Sequence, residues 1–304
     1  MSAARPRVLA IVGPTGSGKT EVAAEVARRS GAEIISADSM QVYRGMDIGT
    51  AKASLELRAE IPHHLIDVVD PDEVMSAGRY AELARAAANE IAGRGRPVIL
   101  CGGSGLYTRA FAGGLIRDLA ADPELRAELR ARPLDELLRE LEASDPATAA
   151  RIPPNDRVRI ERALEVQRQS GRPASEQHAA HGFADRPFDV RWLALGVERD
   201  ALRERLARRT EQMFADGLVD EVRALRAAGY APDLRPLQSV GYLEVGLLLD
   251  GLVDEAEARA RVTIATQRLA KRQRTWFRAE PSLEWVDVDE GAARALERAL
   301  EQLG

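Results

Sequence analysis

Gly13-Pro14-Thr15-Gly16-Ser17-Gly18-Lys19-Thr20 follows directly on the apolar run Val8-Leu9-Ala10-Ile11-Val12. This is the G-x-x-x-x-G-K-[ST] spacing of a phosphate-binding loop set between a strand and a helix. Its glycines let the backbone curl so that successive N–H groups point inward at phosphate oxygens. Lys19 adds a mobile cation, and the Thr20 hydroxyl can hold a magnesium ion. The helix starting near Lys19 turns its positive dipole end to the same place. The loop alone leaves open whether the phosphate it holds is transferred, hydrolysed or released.

The 304 residues are 45% hydrophobic, enough for an ordinary buried core, and leave room for one large domain or a core with a smaller insert. No apolar run approaches the length of a membrane span, so a soluble, cytoplasmic protein with no membrane partner is expected. Cys101 stands alone, which excludes an internal disulfide and a cysteine-based zinc site. His178 and His181 could meet on a helix face, but with no third ligand nearby they read as surface side chains. The formal net charge of −5 argues only weakly against a nucleic-acid partner, because an average can hide a local basic stripe.

Short β-type runs at 8–12, 34–37, 65–69 and 98–101 alternate with helical stretches at 21–30 and 80–93, the pattern of a parallel, doubly wound sheet. Ligands bind at the carboxyl ends of such strands, which places the phosphate loop, Asp38 and Gly102-Gly103-Ser104-Gly105 on one rim. From about 115 to 189 the apolar residues recur at helical spacing (Leu134, Leu137, Leu138, Leu141; Ile160, Ala163, Leu164), broken by Pro153-Pro154 and Gly171-Arg172-Pro173. Strand character returns at 192–197, followed by long amphipathic helices and a last strand candidate, Trp285-Val286-Asp287-Val288. The fold class expected is therefore α/β: a P-loop NTPase-like parallel sheet core, residues 1–114 and 190–304, with a helical insertion domain at 115–189.

Three features carry chemistry. Asp38 follows the strand at 34–37, so its carboxylate should face the phosphate rim as a magnesium-holding group, as a general base beside a bound diphosphate, or as a simple turn cap. On the helix from Ala201 onward, Leu202, Leu206 and Met213 form an apolar stripe, and at about 100° per residue Arg209 falls inside it. A guanidinium facing a core needs an anion, either a structural carboxylate or a bound diphosphate. On the helix ending near Arg278, Val262, Leu269 and Trp276 share one face while Lys271, Arg274 and Arg278 line the other, a stripe suited to phosphate backbone unless it is only a solvated face. Arg157, Arg159, Arg162 and Arg168 in the insert form a second basic patch that favours nucleic acid.

Ile35-Ser36-Ala37-Asp38-Ser39-Met40-Gln41-Val42-Tyr43-Arg44-Gly45-Met46-Asp47-Ile48-Gly49-Thr50-Ala51-Lys52, with the phosphate loop before it and Pro62-His63-His64-Leu65-Ile66-Asp67 after it, closely resembles the bacterial tRNA dimethylallyltransferase (IPP transferase) family. The resemblance continues through Gly102-Gly103-Ser104-Gly105-Leu106-Tyr107, Arg162-Ala163-Leu164-Glu165-Val166, Gln238-Ser239-Val240-Gly241-Tyr242 and residues 271–278, and so covers nearly the whole chain. It implies transfer of a dimethylallyl group from its diphosphate to the exocyclic amine of the adenosine 3′-adjacent to the anticodon. Asp38 would be the general base, with Ser104 and Arg209 also catalytic. Gly13, Pro14, Thr15, Gly16, Ser17, Gly18, Lys19 and Thr20 would bind the diphosphate, with Mg2+ on Thr20. Asp38, Ser39, Met40, Gln41, Ser104, Arg126, Val158, Arg159, Ile160, Glu161 and Arg162 would touch tRNA. So would Gln238, Ser239, Val240, Gly241, Tyr242, Leu243, Lys271, Arg272, Gln273, Arg274, Thr275, Trp276, Phe277 and Arg278. The partners implied are the anticodon stem-loop of tRNA and dimethylallyl diphosphate, with the chain acting as a monomer.

One position departs from the family pattern: Ser104 stands where threonine is usual, keeping the hydroxyl and losing a methyl. The competing readings are a small-molecule or nucleotide kinase on the same loop, an RNA-binding ATPase or switch, and an adenylate-type prenyltransferase. Against a kinase, the strand at 98–101 ends without an acid; against a GTP switch, there is no Asn-Lys-x-Asp motif. The basic helix and the long insert favour tRNA over a free nucleotide.

Overall fold

The structure, a computed structural model, describes residues 5–114, 122–181, 185–280, 283–289 and 291–303. Its strands are β1 (Arg7–Val12), β2 (Glu33–Ser36), β3 (His63–His64), β4 (Val98–Gly102), β5 (Asp189–Gly196) and β6 (Glu284–Asp287). They form one sheet in the order β3-β2-β4-β1-β5-β6, with every neighbouring pair parallel. Successive side chains of a strand point to opposite faces. In β1, Val8, Ala10 and Val12 enter one hydrophobic cluster while Leu9 and Ile11 enter another, all fully buried. A strand apolar on both faces needs cover on both, which is why it sits at the centre of a parallel sheet between layers of helices. The carboxyl end of β1 runs into the phosphate loop, and the helix Lys19–Ser30 starts directly after it and stops at Gly31, whose φ of 71° is left-handed.

The strand expected at 65–69 is absent, and β3 holds only His63–His64. Leu65 and Asp67 take φ of 62° and 57°, which breaks an extended run. The turn brings Asp67 to two cations: Lys52 Nζ donates to Asp67 Oδ1 at 2.5 Å, and Arg58 donates to Asp67 Oδ2 at 2.7 Å. Lys52, with a side chain only 1% exposed, also donates to Asp47 Oδ1 (2.7 Å) and to the Tyr43 carbonyl (2.6 Å). Burial works against the Asp67 carboxylate, but the hydrogen bonds from Lys52 and Arg58 outweigh it and hold its pKa below the ordinary value.

The long segment after β2 is also gripped from the other side. On the helix Leu218–Ala227, the Glu221 carboxylate accepts the N–H groups of Asp47, Ile48 and Gly49 at 2.8, 2.7 and 3.1 Å, and the Tyr242 hydroxyl as well.

The chain divides into two compact units, Met1–Ala112 with Pro187–Gly304, and Gly113–Arg186. In the second unit the helices Pro123–Ala131, Leu134–Ser144, Pro146–Ala149, Arg157–Ser170 and Ala174–His181 enclose their own core of Leu129, Leu137, Leu141, Ile160, Ala163, Leu164, Val166 and Ala174. Aspartate caps start three of them: Asp122 accepts from Glu124 and Leu125 N–H, Asp145 from Thr148 N–H and Asp156 from Arg159 N–H. The side chains of His178 and His181 lie outside the described ones. No helix among the described residues is long and apolar enough to cross a membrane.

Lys52→Met should destabilise the protein by about 3–5 kcal/mol in denaturant unfolding, the usual cost of removing one partner of a buried ion pair. Because Asp67 is depressed in the folded state, its contribution is complete above the ordinary carboxyl range and is lost as pH falls below it. The variant should therefore lose less stability than the parent between pH 5 and 3; equal acid slopes would detach Asp67 from Lys52.

Candidate active site

At the carboxyl rim of β1, β2 and β4 lies a cavity of about 940 Å³, within the range of small-ligand sites. Thr15, Gly16, Gly18, Lys19, Thr20, Asp38, Ser39, Met40, Gln41, Ser104, Arg209, Gln238, Ser239, Val240, Gly241, Arg272 and Gln273 all line it. Residues read separately from the sequence thus converge on one space. The phosphate loop owes its curl to Gly13, Gly16 and Gly18, whose φ values of 143°, 79° and 82° disfavour any side chain. Pro14 and Ser17 stand behind the loop's inner wall. The Pro14 carbonyl accepts Lys19 Nζ at 2.7 Å, and the Ser17 hydroxyl is buried without a hydrogen-bond partner.

Lys19 and Arg209 are the electrostatic centre. Burial pushes the Lys19 ammonium down to about 8, a fall that the Arg209 charge deepens and that Cys101, Asp38 and Glu21 only partly offset. Arg209 extends from the helix Arg199–Ala215, whose Leu202 and Leu206 rest on the phosphate loop at Gly16. Its Nε is buried without a partner, and among the described residues it forms no ion pair, so the structural carboxylate that could have explained it is absent. Burial lowers its pKa as well, against the pull of Asp38 and Glu21. Two converging cations without a counter-ion make an anion site. Cys101, on the wall beneath them, is pushed up to about 12 by burial and stays a neutral thiol.

Asp38 sits on a tight turn. Its Oδ1 accepts the Met40 N–H at 2.8 Å, so it does serve as a turn cap, and the same carboxylate lines the cavity. Ser104 meets this turn from the end of β4: its Oγ accepts the Ser39 N–H at 2.9 Å and donates to Ser39 Oγ at 3.2 Å. Its hydroxyl is thus engaged with the Asp38 turn. Gln41 is likewise turned inward, its Oε1 accepting from Ser36 Oγ (2.9 Å) and its Nε2 donating to the Thr50 and Ala51 carbonyls (3.2 and 3.3 Å).

The helix Glu255–Arg278 divides its charges sharply. Arg259 pairs with Glu211 and Glu255, and Arg261 with Glu257. Arg268, Lys271, Arg272, Arg274 and Arg278 form no ion pair with any described residue. Thr275, also exposed, spends its hydroxyl on the Lys271 carbonyl at 3.0 Å. Arg268 was missed by the sequence reading because it belongs to neither the apolar face nor the terminal cluster.

Several expected tRNA contacts need correcting. Ile160, Tyr242 and Phe277 are at most 1% exposed, so their side chains belong to cores rather than to an RNA-facing surface. Trp276 packs against Gly105 and under the Arg109 guanidinium, 4.6 Å from its ring centre. Leu243 is half-buried. The insert's basic patch is matched by its own acids. Arg157 pairs with Glu161 (2.9 Å), Arg159 with Asp156 (3.3 Å), Arg162 with Glu165 (2.6 Å) and Arg168 with Glu128 and Glu140 (2.7 and 2.9 Å). Arg126 donates to the same buried Glu165 at 2.8 Å, and Val158, 76% exposed, faces outward beside the exposed Arg159.

Comparison with known proteins fits this geometry. The family model described as IPP transferase matches residues 41–280. A tRNA dimethylallyltransferase of Geobacter sulfurreducens is 48% identical over 287 residues, 93% of this chain and 92% of that protein. One from Myxococcus xanthus is 48% identical over 283 residues, 92% of each. The crystal structure of the full-length tRNA isopentenylpyrophosphate transferase of Bacillus halodurans superposes with a TM-score of 0.73 at 38% identity, covering 98% of this chain and 97% of that one. A eukaryotic dimethylallyltransferase acting on tRNA superposes with a TM-score of 0.83 at 26% identity, covering 96% of this chain and 78% of that one. With its phosphate loop, its Asp38 turn and relatives matched nearly end to end, the chain belongs to the IPP transferase family.

Proposed function

We propose that the protein transfers a dimethylallyl group from dimethylallyl diphosphate to the exocyclic amine of the adenosine 3′-adjacent to the anticodon of tRNA, releasing diphosphate. The observation that carries this reading is the meeting, in one cavity, of two half-buried cations that pair with no described carboxylate, Lys19 and Arg209, with Asp38. As the allylic C–O bond breaks, negative charge grows on the leaving diphosphate. Cations fixed in advance in a cavity away from water stabilise that charge with little reorganisation. The amine nitrogen forms the new N–C bond, and Asp38 takes the proton this nitrogen must lose, because its lone pair is otherwise delocalised into the purine. Ser104 holds the turn from which Asp38 acts. The phosphate loop binds the diphosphate as a leaving group, and nothing is phosphorylated.

Magnesium fits the residues present. Thr20 lines the cavity beside Lys19, and its hydroxyl would hold an ion whose other ligands are phosphate oxygens and water. When bound it would neutralise diphosphate charge beside Lys19. The unpaired cations at Arg268, Lys271, Arg272, Arg274 and Arg278 are the surface suited to the tRNA backbone. An adenosine reaching Asp38 from there has to leave its stack, as bases do when enzymes act on them.

Incubation with unmodified tRNA, magnesium and labelled dimethylallyl diphosphate, followed by digestion to nucleosides, should yield prenylated adenosine without ATP. Asp38→Asn should lower that turnover at least ~100-fold while diphosphate affinity is nearly kept. Transfer of a γ-phosphate with no prenylated adenosine would favour the kinase, and loss of diphosphate binding in the variant would make Asp38 a metal-site residue.

Affinity for dimethylallyl diphosphate in the absence of RNA should fall as pH rises through about 8, because free Lys19 then loses the proton that the bound diphosphate favours. The limiting slope is about tenfold per pH unit. Lys19→Met should bind more weakly and flatten the profile between pH 7 and 9; a parent profile already flat would assign the charge to Arg209 alone.

Replacing Lys271, Arg274 and Arg278 together by glutamine should weaken tRNA binding. It should also flatten the dependence of log affinity on log salt by about 0.7–0.9 for each phosphate that is no longer neutralised. Salt titrations with parallel lines and equal affinity would reduce the stripe to a solvated face.

A further inference from the structure

The helix Glu255–Arg278 has a second face that its free cations do not explain. Gln273, between Arg272 and Arg274, points inward, and its Oε1 accepts the N–H of Thr15 in the phosphate loop at 2.8 Å. The same amide lies over Gly103. A Cβ on Gly103 would fall 2.4 Å from Gln273 Nε2, so the glycine is what lets the helix approach. One turn on, Trp276 covers Gly105 just as closely. Between these two glycines is Ser104, whose hydroxyl holds the turn of Asp38. A single helix therefore presents Arg268, Lys271 and Arg278, which pair with no described residue, outward and braces both the phosphate loop and the Asp38 turn inward.

We propose that Gln273 is a positioning residue that couples tRNA binding on the outer face of this helix to diphosphate binding in the phosphate loop. The inference rests on the functional reading above and deepens it. The hydrogen bond to Thr15 braces the phosphate loop, and RNA contacts at Arg268, Lys271 and Arg278, exposed on the same helix, restrict the helix that makes this bond. A loop ordered by one ligand costs the other less to order, so each substrate tightens the other, and by linkage the factor is the same in both directions. Gln273 touches neither reacting atom; it acts through the Thr15 amide.

The test uses inorganic diphosphate with magnesium, which cannot react, at 0.15 M salt. Its affinity is measured for the free protein and for the protein saturated with unmodified tRNA. The parent should bind diphosphate at least about fivefold tighter with tRNA present. Gln273→Met keeps the length and loses the acceptor; Gly103→Ala reaches the contact from the other side by displacing the amide. Each variant should bring the ratio to within about twofold of one while still binding each ligand singly. A ratio of one in the parent, or an unchanged ratio in both variants, overturns the proposal. A parent that binds diphosphate but not tRNA overturns the functional reading, and the coupling with it.

Discussion

Lys19 and Arg209 are half-buried cations on one cavity wall, and no carboxylate among the described residues pairs with them. A protein core can tolerate that only if everything around the pair is rigid enough to keep it from collapsing onto a neighbour or swinging into solvent. The rigid frame is visible. β1 is buried on both faces and delivers the loop, the helix of Arg209 rests its leucines on Gly16, and Lys19 is tethered to the Pro14 carbonyl. Asp38 and Glu21 act on both cations from a distance, without neutralising either. On the function proposed above, the diphosphate supplies the counter-ion, so that what the unpaired cations cost the fold returns as affinity for an anion.

The same economy of contact explains why Ser104 can replace threonine. The interactions that matter at this position come from the hydroxyl, which holds Ser39, and from the main chain, where Ser104 N–H donates to the Ala37 carbonyl at 3.1 Å. A missing methyl touches neither. The turn of Asp38 is thus fixed by backbone geometry at the ends of β2 and β4.

Much of this was legible in the sequence because it rests on local period or on a motif with its own mechanism. The apolar run of β1, the phosphate loop and the apolar stripe that enclosed Arg209 are of that kind. What was not legible depends on partners far along the chain. The run at 65–69 has strand composition, yet Asp67 turns back to Lys52 and Arg58, and no window of the sequence contains that pull. The arginines of the insert look basic in order, but Glu128, Glu140 and Glu165 come to them from other helices or other turns. Gln273 was expected at tRNA and not at the Thr15 N–H, and Glu221 gave no signal at all, since an amide or a carboxylate on a polar helix face is ordinary until the fold shows which N–H it meets.

The position of β1 in the sheet has a consequence for how the protein is made. Val8 lies beside Val98 on one edge and Val190 on the other, so β1 gains its second neighbour only when β5, far along the chain, has been made. At about 5–20 residues per second, β1 waits on the order of ten to forty seconds for β5 to leave the ribosome. During that interval the insert, with its own hydrophobic core and its own ion pairs, has all it needs to condense, while the apolar run at 8–12 in β1 stays without its second neighbour. Nascent-chain binding by chaperones has its natural target there, in the residues that will later carry the phosphate loop.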